Sequence, residues 1–299
     1  MASISAPFDE QLRLHEEHVS TVVAAGVRTR YWTYGSPTHA ATLVFVHGFR
    51  GDHHGLLSFA AELADDFYCV IPDVPGFGET EDFNGQATID AYAQWLIDFV
   101  AASTRSTHAV VIGHSFGSIV VSAALASGLN PQQVVLINPI AKNALRGPRG
   151  LMTRLAIFYY WLGASLPEKL GLALLKNRAI VRIMSITMAK TSNKALRAWI
   201  HDQHDRYFSN FQSRKSVMQA FRTSVENDVS MFRAGLNRPL LLLVADRDDI
   251  TDIATQLEFA STLPQAQIEV VSDVGHLVHY EAYGWAAERI RDYIGKNPQ

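Results

Sequence analysis

Ser115 lies between two glycines in the segment Gly113-His114-Ser115-Phe116-Gly117. The β-branched run VVI precedes this segment, and small and apolar residues follow it. A strand, Gly-x-Ser-x-Gly and a helix in this order are typical of a sharp turn that projects the serine hydroxyl from the end of a sheet. A serine hydroxyl becomes a good nucleophile only when a base removes its proton. The segment therefore predicts Ser115 as a nucleophile and requires a base and an acid elsewhere in the chain.

Candidates for the acid and the base follow two later apolar runs. Asp246, Asp248 and Asp249 come at the end of LLLLVADRDD, and His276 and His279 lie in VVSDVGHLVHYE. In such a catalytic triad the histidine accepts the serine proton, and the carboxylate holds the imidazole in the required tautomer. The residues alone leave two choices open, namely which aspartate is the acid and which histidine is the base.

The elements that must position these residues alternate along the chain. Short apolar runs are typical of strands that are buried on both faces of a parallel sheet, and they occupy 42–48, 67–73, 109–115, 134–139, 240–246 and 266–273. Helical spacing is found over 89–103, 116–127 and 282–294. Alternating segments around Ala25-Gly26 predict an antiparallel hairpin ahead of them. The pattern predicts an α/β fold with a doubly wound, mostly parallel sheet.

The segment 139–235 interrupts this alternation. Its pattern is helical without a convincing strand, and it carries 16 Lys and Arg against 5 Asp and Glu. We therefore predict a core domain formed by 1–138 and 236–299, with a helical cap, 139–235, inserted between two strands. The basic charge would suit anionic substrates or an anionic membrane surface, but we favour a solvated helix face and do not expect the cap to contact a membrane.

The chain resembles the α/β-hydrolase superfamily over nearly its whole length. Four motifs carry the resemblance: the turn around Ser115, the pair Gly275-His276 near the C-terminus, His47-Gly48-Phe49 after the third predicted strand, and the turn Asp73-Val74-Pro75-Gly76-Phe77-Gly78. The order nucleophile, aspartate, histidine along the chain is also the order in this superfamily. The resemblance implies an α/β-hydrolase fold with a helical cap.

The same resemblance implies a role for individual residues. Ser115 corresponds to the nucleophile, His276 to the base and Asp248 to the acid. The backbone N–H groups of Phe49 and Phe116 correspond to the oxyanion hole. Because these groups suffice for acyl transfer to water, we expect neither a cofactor nor a metal.

The family pattern Gly-x-x-Asp-x-(Ile/Val) favours Asp248, since Ile250 stands two residues later. Asp246 and Asp249 remain alternatives for the acid. Asp252 precedes IATQLEFA and is expected to cap that helix. Asp52, His53 and His54 are similar to a metal cluster only superficially, because no distant third ligand accompanies them.

The cap is the only guide to the substrate. Its segment 151–175 carries Phe158, Tyr159 and Trp161, which we expect to bind an apolar group beside the serine. We predict a serine esterase for small to medium apolar acyl groups. A carbon–carbon bond hydrolase, another acyl hydrolase or acyltransferase, and a ligand receptor without catalysis stay open as alternatives.

The composition bears on whether the protein is disulfide-bonded, secreted or embedded in a membrane. The chain has 299 residues, 48% of them hydrophobic, a net charge of -3 and one cysteine, Cys69, so a framework of internal disulfides is excluded. We see neither a signal peptide nor an apolar run long enough to span a bilayer, and we expect a cytoplasmic protein. We expect a small-molecule apolar ester or acyl substrate as the partner, no nucleic acid, and a monomer or a homodimer.

Overall fold

A single eight-stranded sheet forms the centre of the protein in a computed structural model, which describes residues 4–104, 109–142 and 150–296. The strand order is β1-β2-β4-β3-β5-β6-β7-β8. The strands are β1 (His18–Ala24), β2 (Val27–Tyr34), β3 (Thr42–Val46), β4 (Tyr68–Pro72), β5 (Ala109–His114), β6 (Gln133–Ile137), β7 (Leu240–Ala245) and β8 (Ala266–Val271).

Strands β3 to β8 run parallel to one another, whereas β1 and β2 pair as an antiparallel hairpin and β2 joins β4 antiparallel. The hairpin turns at Ala25 and Gly26, whose φ angles are 46° and 75°. Positive φ at both central residues is the geometry of a two-residue turn that matches the twist of the strands. The sequence prediction of a doubly wound, mostly parallel sheet is confirmed.

Helices cover both faces of the sheet. Alternate strand residues contact α3 and α4 on one face and α2 and α12 on the other. The helices are α1 (Asp9–Leu12), α2 (Leu57–Leu63), α3 (Ile89–Ser103), α4 (Phe116–Ala126), α5 (Gly150–Ser165), α6 (Glu168–Leu175), α7 (Arg178–Met188), α8 (Lys194–Tyr207), α9 (Arg214–Glu226), α10 (Ile253–Ser261), α11 (Val278–Glu281) and α12 (Tyr283–Lys296). Asp252 caps α10 by accepting from the amide of Thr255, as its position predicts.

The segment between β6 and β7 contains helices but no strand in its described part, 138–142 and 150–239. Helices α5 to α9 lie there, followed by a 3₁₀ helix, Val229–Leu236. Among the helices of the described chain, none is both long and apolar enough to cross a membrane.

The prediction that all six apolar runs are buried on both faces is wrong for β8. None of its residues is buried, and Val270 is 41% exposed. The reason is its place at the edge of the sheet, where it pairs with β7 alone. An edge strand has a partner on one side only and lies where the covering helices end. A run of apolar residues in such a strand therefore does not imply that both of its faces are buried.

Candidate active site

The turn between β5 and α4 holds Ser115 in a strained conformation, with φ 54° and ψ -119°. A Cβ atom on Gly117 would lie 2.1 Å from the carbonyl oxygen of Val46, and one on Gly113 would lie 2.6 Å from the carbonyl oxygen of Gly117. Both contacts are with backbone and cannot be relieved by rotating a side chain. The glycines therefore allow strand, serine and helix to approach as closely as the turn requires.

We expect Gly117→Ala to lower the free energy of unfolding by about 1–3 kcal/mol, the usual cost of overpacking a close-packed interior. Catalytic activity should fall with it, because the added methyl group pushes the serine turn away from β3. Urea unfolding and hydrolysis of p-nitrophenyl butyrate measure the two effects. Gly284→Ala on α12 is the control, since its Cβ would meet nothing within 4 Å. Equal stability of Gly117→Ala and the parent protein would contradict the argument.

Three side chains from three loops meet at this turn. Nε2 of His276 lies 2.7 Å from Oγ of Ser115, and Nδ1 of His276 lies 2.8 Å from Oδ2 of Asp248. All three are nearly buried, with exposed fractions of 9% for Ser115, 4% for His276 and 2% for Asp248. These distances are those of hydrogen bonds. The geometry is that of a nucleophile, a base and an orienting acid.

The structure also distinguishes Asp248 from its neighbours. Oδ1 of Asp248 accepts from the amides of Ile250, at 2.7 Å, and Thr251, at 3.3 Å, which leaves Oδ2 to face His276. Asp249 instead points outward and forms an ion pair with Lys190. Asp248 thus receives its orientation from the loop after β7, and it is the aspartate that contacts the histidine.

His279 takes a different place from His276. Its ring lies 4.2 Å from the ring of His114, which in turn packs beside His276. His114 contacts the carbonyl oxygen of His276 through Nε2, at 3.1 Å. The histidine that reaches Ser115 is therefore His276, and His279 lies beside it in the wall of the cavity described below.

The loop after β3 places its backbone against the serine. A Cβ on Gly48 would lie 3.1 Å from Cβ of Ser115. Within the described ranges, the amides of Phe49 and Phe116 donate to no acceptor. Nε2 of His47 accepts from the amide of Val74 at 2.8 Å, and Nδ1 contacts the carbonyl oxygen of Gly48. Burial lowers the pKa of His47, so this side chain holds the loop as a neutral imidazole.

A cavity of about 310 Å³ opens above Ser115. Phe49, Tyr160 and Phe221 form one of its walls, and the rings of Tyr160 and Phe221 stack with centroids 3.9 Å apart. Phe49 lies 5.8 Å from Tyr160 and 6.0 Å from Phe221. This wall is apolar and follows directly from the loop that carries the amide of Phe49.

The three cap residues proposed from the sequence do not line this cavity. Phe158 and Trp161 are 57% and 58% exposed, and the hydroxyl of Tyr159 donates to the carbonyl oxygens of Leu174 and Leu175. Tyr160, which is 3% exposed, is the aromatic residue of α5 that faces inward. Successive residues of a helix differ by about 100° in direction, so only part of an aromatic run can face one side.

Comparison with known proteins shows the family of this chain. A sequence model described as "Alpha/beta hydrolase family" matches residues 43–289. The chain belongs to the alpha/beta hydrolase family. This hydrolase is 25% identical over 274 residues to "Uncharacterized hydrolase YugF" of Bacillus subtilis, covering 90% of this chain and 95% of the relative. It is 22% identical over 278 residues to "Lipase 1" of Psychrobacter immobilis, covering 92% and 83%.

Among solved structures, the hydrolase is similar to a thermophilic esterase from Thermogutta terrifontis. The TM-score is 0.73, the sequence identity is 20%, and the match covers 94% of this chain and all of that one (100%). At this identity the likeness shows the fold alone.

Arg50 is a site residue of the hydrolase that the sequence analysis missed. It is 1% exposed, has φ 62° and follows Phe49 directly. Its Nε donates to the carbonyl oxygen of Phe208 at 2.9 Å, and Nη2 donates to that of Leu175 at 2.8 Å, while Nη1 donates to the hydroxyl of Tyr160 at 3.2 Å. Arg50 thus ties the loop after β3 to three helical segments. In the sequence, a charged residue directly after an apolar strand and a turn could have identified Arg50 as a candidate site residue.

Three histidines near the site are held uncharged by burial. Loss of hydration lowers the pKa of His114 and of His204 to about 3 each, and it lowers the pKa of His279 well below the usual value. Each also lies near other histidines, and this repulsion acts in the same direction. These three histidines therefore present neutral imidazoles to the cavity at neutral pH.

These pKa shifts predict that the hydrolase loses stability in acid. In the unfolded chain a histidine has a pKa of about 6.5 and takes up a proton below that pH. In the folded protein His114 and His204 remain neutral until about pH 3. The free energy of unfolding should fall with pH between these limits, by up to about 1.4 kcal/mol per pH unit for each histidine, and should gain nothing from them above 6.5.

Urea unfolding at pH 7.5 and pH 5.5 measures this dependence. His204→Gln should reduce the difference between the two values, whereas His18→Gln, at an exposed position, should leave it unchanged. Equal stability of the parent protein at both pH values would contradict the prediction.

Asp52, His53 and His54 come together as a potential metal-ligating group, with their ligand atoms within 4.8 Å of one another. However, Nδ1 of His53 bonds Oδ1 of Asp73 at 2.9 Å, and Nδ1 of His54 bonds Oδ1 of Asp52 at 3.1 Å. The ring of His53 also stacks on Trp32, with centroids 3.3 Å apart. These contacts give the group a structural role in the loop that leads to α2.

Proposed function

We propose that the protein is a serine carboxylesterase that acts through an acyl-enzyme on Ser115. The observation that carries this proposal is the hydrogen-bonded series Ser115, His276 and Asp248 at the base of a cavity. A serine, a histidine and a carboxylate in this geometry provide the nucleophile, the proton acceptor and the orienting group of acyl transfer.

In the first step, Oγ of Ser115 attacks the ester carbonyl carbon while Nε2 of His276 takes the hydroxyl proton. Asp248 holds Nδ1 of His276 protonated and stabilises the imidazolium ion that forms. His276 then gives its proton to the leaving alcohol as the carbon–oxygen bond breaks. Water, deprotonated by the same nitrogen, attacks the acyl carbon. The bond from that carbon to Oγ then breaks, His276 returns the proton to Oγ of Ser115, and the acid is released. Atoms and protons balance with no cofactor or metal.

The amides of Phe49 and Phe116 are assigned to the oxyanion. The amide of Phe116 begins α4, where the free N–H groups of a helix favour negative charge. The amide of Phe49 belongs to the loop packed against Ser115. Preorganised donors of this kind contribute mainly in the transition state, and losing one typically costs about 10²–10³ in kcat. Their lack of acceptors within the described chain supports this assignment.

The cavity supports a small to medium apolar acyl group. Its volume of about 310 Å³ lies near the lower end of the range for small-molecule sites, which is about 300–1,000 Å³. The wall of Phe49, Tyr160 and Phe221 offers aromatic surface next to the serine. Residues of α5 and α7 to α9 cover the cavity, which supports treating 139–235 as a cap over a core formed by 1–138 and 236–299.

Hydrolysis of p-nitrophenyl esters from acetate to palmitate tests the proposal. We expect kcat/KM to peak at a short to medium chain and to decline for palmitate. Preference for a highly polar acid, with no gain from added methylene groups, would overturn the assignment of the acyl group. If no ester is cleaved, a vinylogous diketone acid followed by absorbance tests the carbon–carbon bond hydrolase in its place.

A further inference from the structure

The cavity has a second wall, which is polar and which the mechanism does not use. It contains His204, His279 and Tyr280, with exposed fractions of 4%, 7% and 5%. The rings follow one another away from the catalytic base: His279 lies 4.1 Å from Tyr280, and Tyr280 lies 5.7 Å from His204. We call these three residues the polar wall.

The polar wall has unused hydrogen-bonding capacity. Nδ1 of His279 is buried and has no hydrogen-bond partner in the described part of the chain. Nε2 of His204 and the hydroxyl of Tyr280 also have no partner among the described residues, since His204 bonds Ser185 through its other nitrogen. Burying a polar atom such as Nδ1 of His279 without a partner costs free energy. A ligand or a water molecule can complete the hydrogen bonds of such polar groups. All three residues border the cavity, where a ligand could do so.

The position of the polar wall relative to His276 indicates that it would contact the leaving group of the substrate. His276 must protonate the departing oxygen, so the leaving group lies on the side of His276. His114 packs against His276, and His279 packs against His114, with ring centroids 5.2 Å and 4.2 Å apart. The polar wall therefore continues from the leaving-group side, while Phe49 and its aromatic neighbours lie against the acyl group.

The charges of the residues around the polar wall indicate which kind of leaving group fits there. The imidazoles are neutral at pH 7 because burial lowers their pKa values. Asp52 also borders the cavity and is 1% exposed, and its carboxylate disfavours a second negative charge nearby. The guanidinium of Arg50 already donates to Phe208, Leu175 and Tyr160. An uncharged hydroxyl, which can both donate and accept, fits these surroundings best.

We propose that the polar wall is a subsite for a free hydroxyl on the alcohol portion of the ester, so that the preferred substrates are monoesters of diols or polyols. The proposal rests on the serine esterase function proposed above. It assigns a specificity role to Tyr280 and His279, which would bond the distal hydroxyl while the acyl chain occupies the apolar wall.

Three butyrate esters whose alcohol portions each contain three carbons test the subsite: propyl, 3-hydroxypropyl and 2-carboxyethyl butyrate. In the parent protein we expect kcat/KM for the hydroxypropyl ester to exceed that for the propyl ester by about 10-fold, because a site built for a hydroxyl rejects the analogue that lacks it. Equal values for the two esters, or a preference for the propyl or the carboxyethyl ester, would overturn the proposal without any variant.

Two variants then assign the effect to the wall. Tyr280→Phe and His279→Leu should each lower the hydroxypropyl-to-propyl ratio by about 2- to 10-fold, the usual contribution of one hydrogen bond. The matched control is Tyr293→Phe on α12, a buried tyrosine outside the cavity lining, which should leave the ratio unchanged. An unchanged ratio in both wall variants would contradict the assignment.

Failure of the subsite and failure of the esterase give different results. If all three esters are hydrolysed at rates that depend on Ser115 but with equal kcat/KM values, the polar wall is not a hydroxyl subsite and the esterase stands. If none is hydrolysed above the rate of Ser115→Ala, the proposed esterase function itself is wrong.

Discussion

Ser115→Ala should lower kcat for p-nitrophenyl butyrate by about 10⁶-fold, the loss typical of a serine hydrolase deprived of its nucleophile. The substitution removes one oxygen atom, and the strained turn is retained because the neighbouring glycines are unchanged. Without Oγ, His276 has no proton to accept and no acyl-enzyme can form. A stopped assay with concentrated enzyme, or active-site labelling by a fluorophosphonate followed by mass spectrometry, measures the loss.

Ser127→Ala at the end of α4 is the matched control, because the same atom is removed from an exposed position. This control should retain full activity, and the unfolding midpoint of Ser115→Ala should remain within the range of the parent protein. Residual hydrolysis above about one thousandth of the parent rate, with no contaminating esterase, would argue against Ser115 as the nucleophile.

Asp248→Asn is expected to lower kcat by about 10⁴-fold while the fold is retained. An asparagine could still accept from the amides of Ile250 and Thr251 through its oxygen. Its NH₂ group would then face Nδ1 of His276 and donate to it, which forces the proton onto Nε2. In that tautomer Nε2 cannot accept the proton of Ser115. Kinetics with p-nitrophenyl butyrate and thermal unfolding together separate this effect from misfolding.

The matched comparison is Asp249→Asn, one residue away. Asp249 pairs with Lys190 at the surface, and such exposed ion pairs contribute about 0–1 kcal/mol to stability. The substitution should therefore leave the fold intact, and kcat should be unchanged because this pair does not involve His276. Asp246→Asn completes the set of the sequence alternatives. A larger loss in either of these variants than in Asp248→Asn would assign the acid to a different aspartate.

Much of the scaffold can be predicted from the sequence because the relevant signals are local. Apolar runs locate β3 to β7 to within about two residues, and helical spacing locates α3 with both ends correct, since burial of one face imposes a period on the chain. The glycines around Ser115 identify the turn because close backbone approach excludes any side chain. Ser115, Asp248 and His276 each follow a parallel strand that ends at the same edge of the sheet, so these residues can be expected to meet there.

The tertiary structure alone decided which side chains face each other. Local sequence could not separate Asp248 from Asp246 and Asp249, because the choice depends on which carboxylate the loop amides aim at His276. It also could not show that Tyr160 faces inward while Phe158 and Trp161 face solvent, since helix rotation is set by packing against Phe221 and Phe49.

The same reason explains why Arg50 and the polar wall were missed. The partners of Arg50 lie more than 100 residues away in the sequence, and the polar wall joins α8 to α11. A sequence encodes the propensity and periodicity of each segment directly. Contacts between segments depend on how whole helices and strands pack, so they become visible only once the chain is folded.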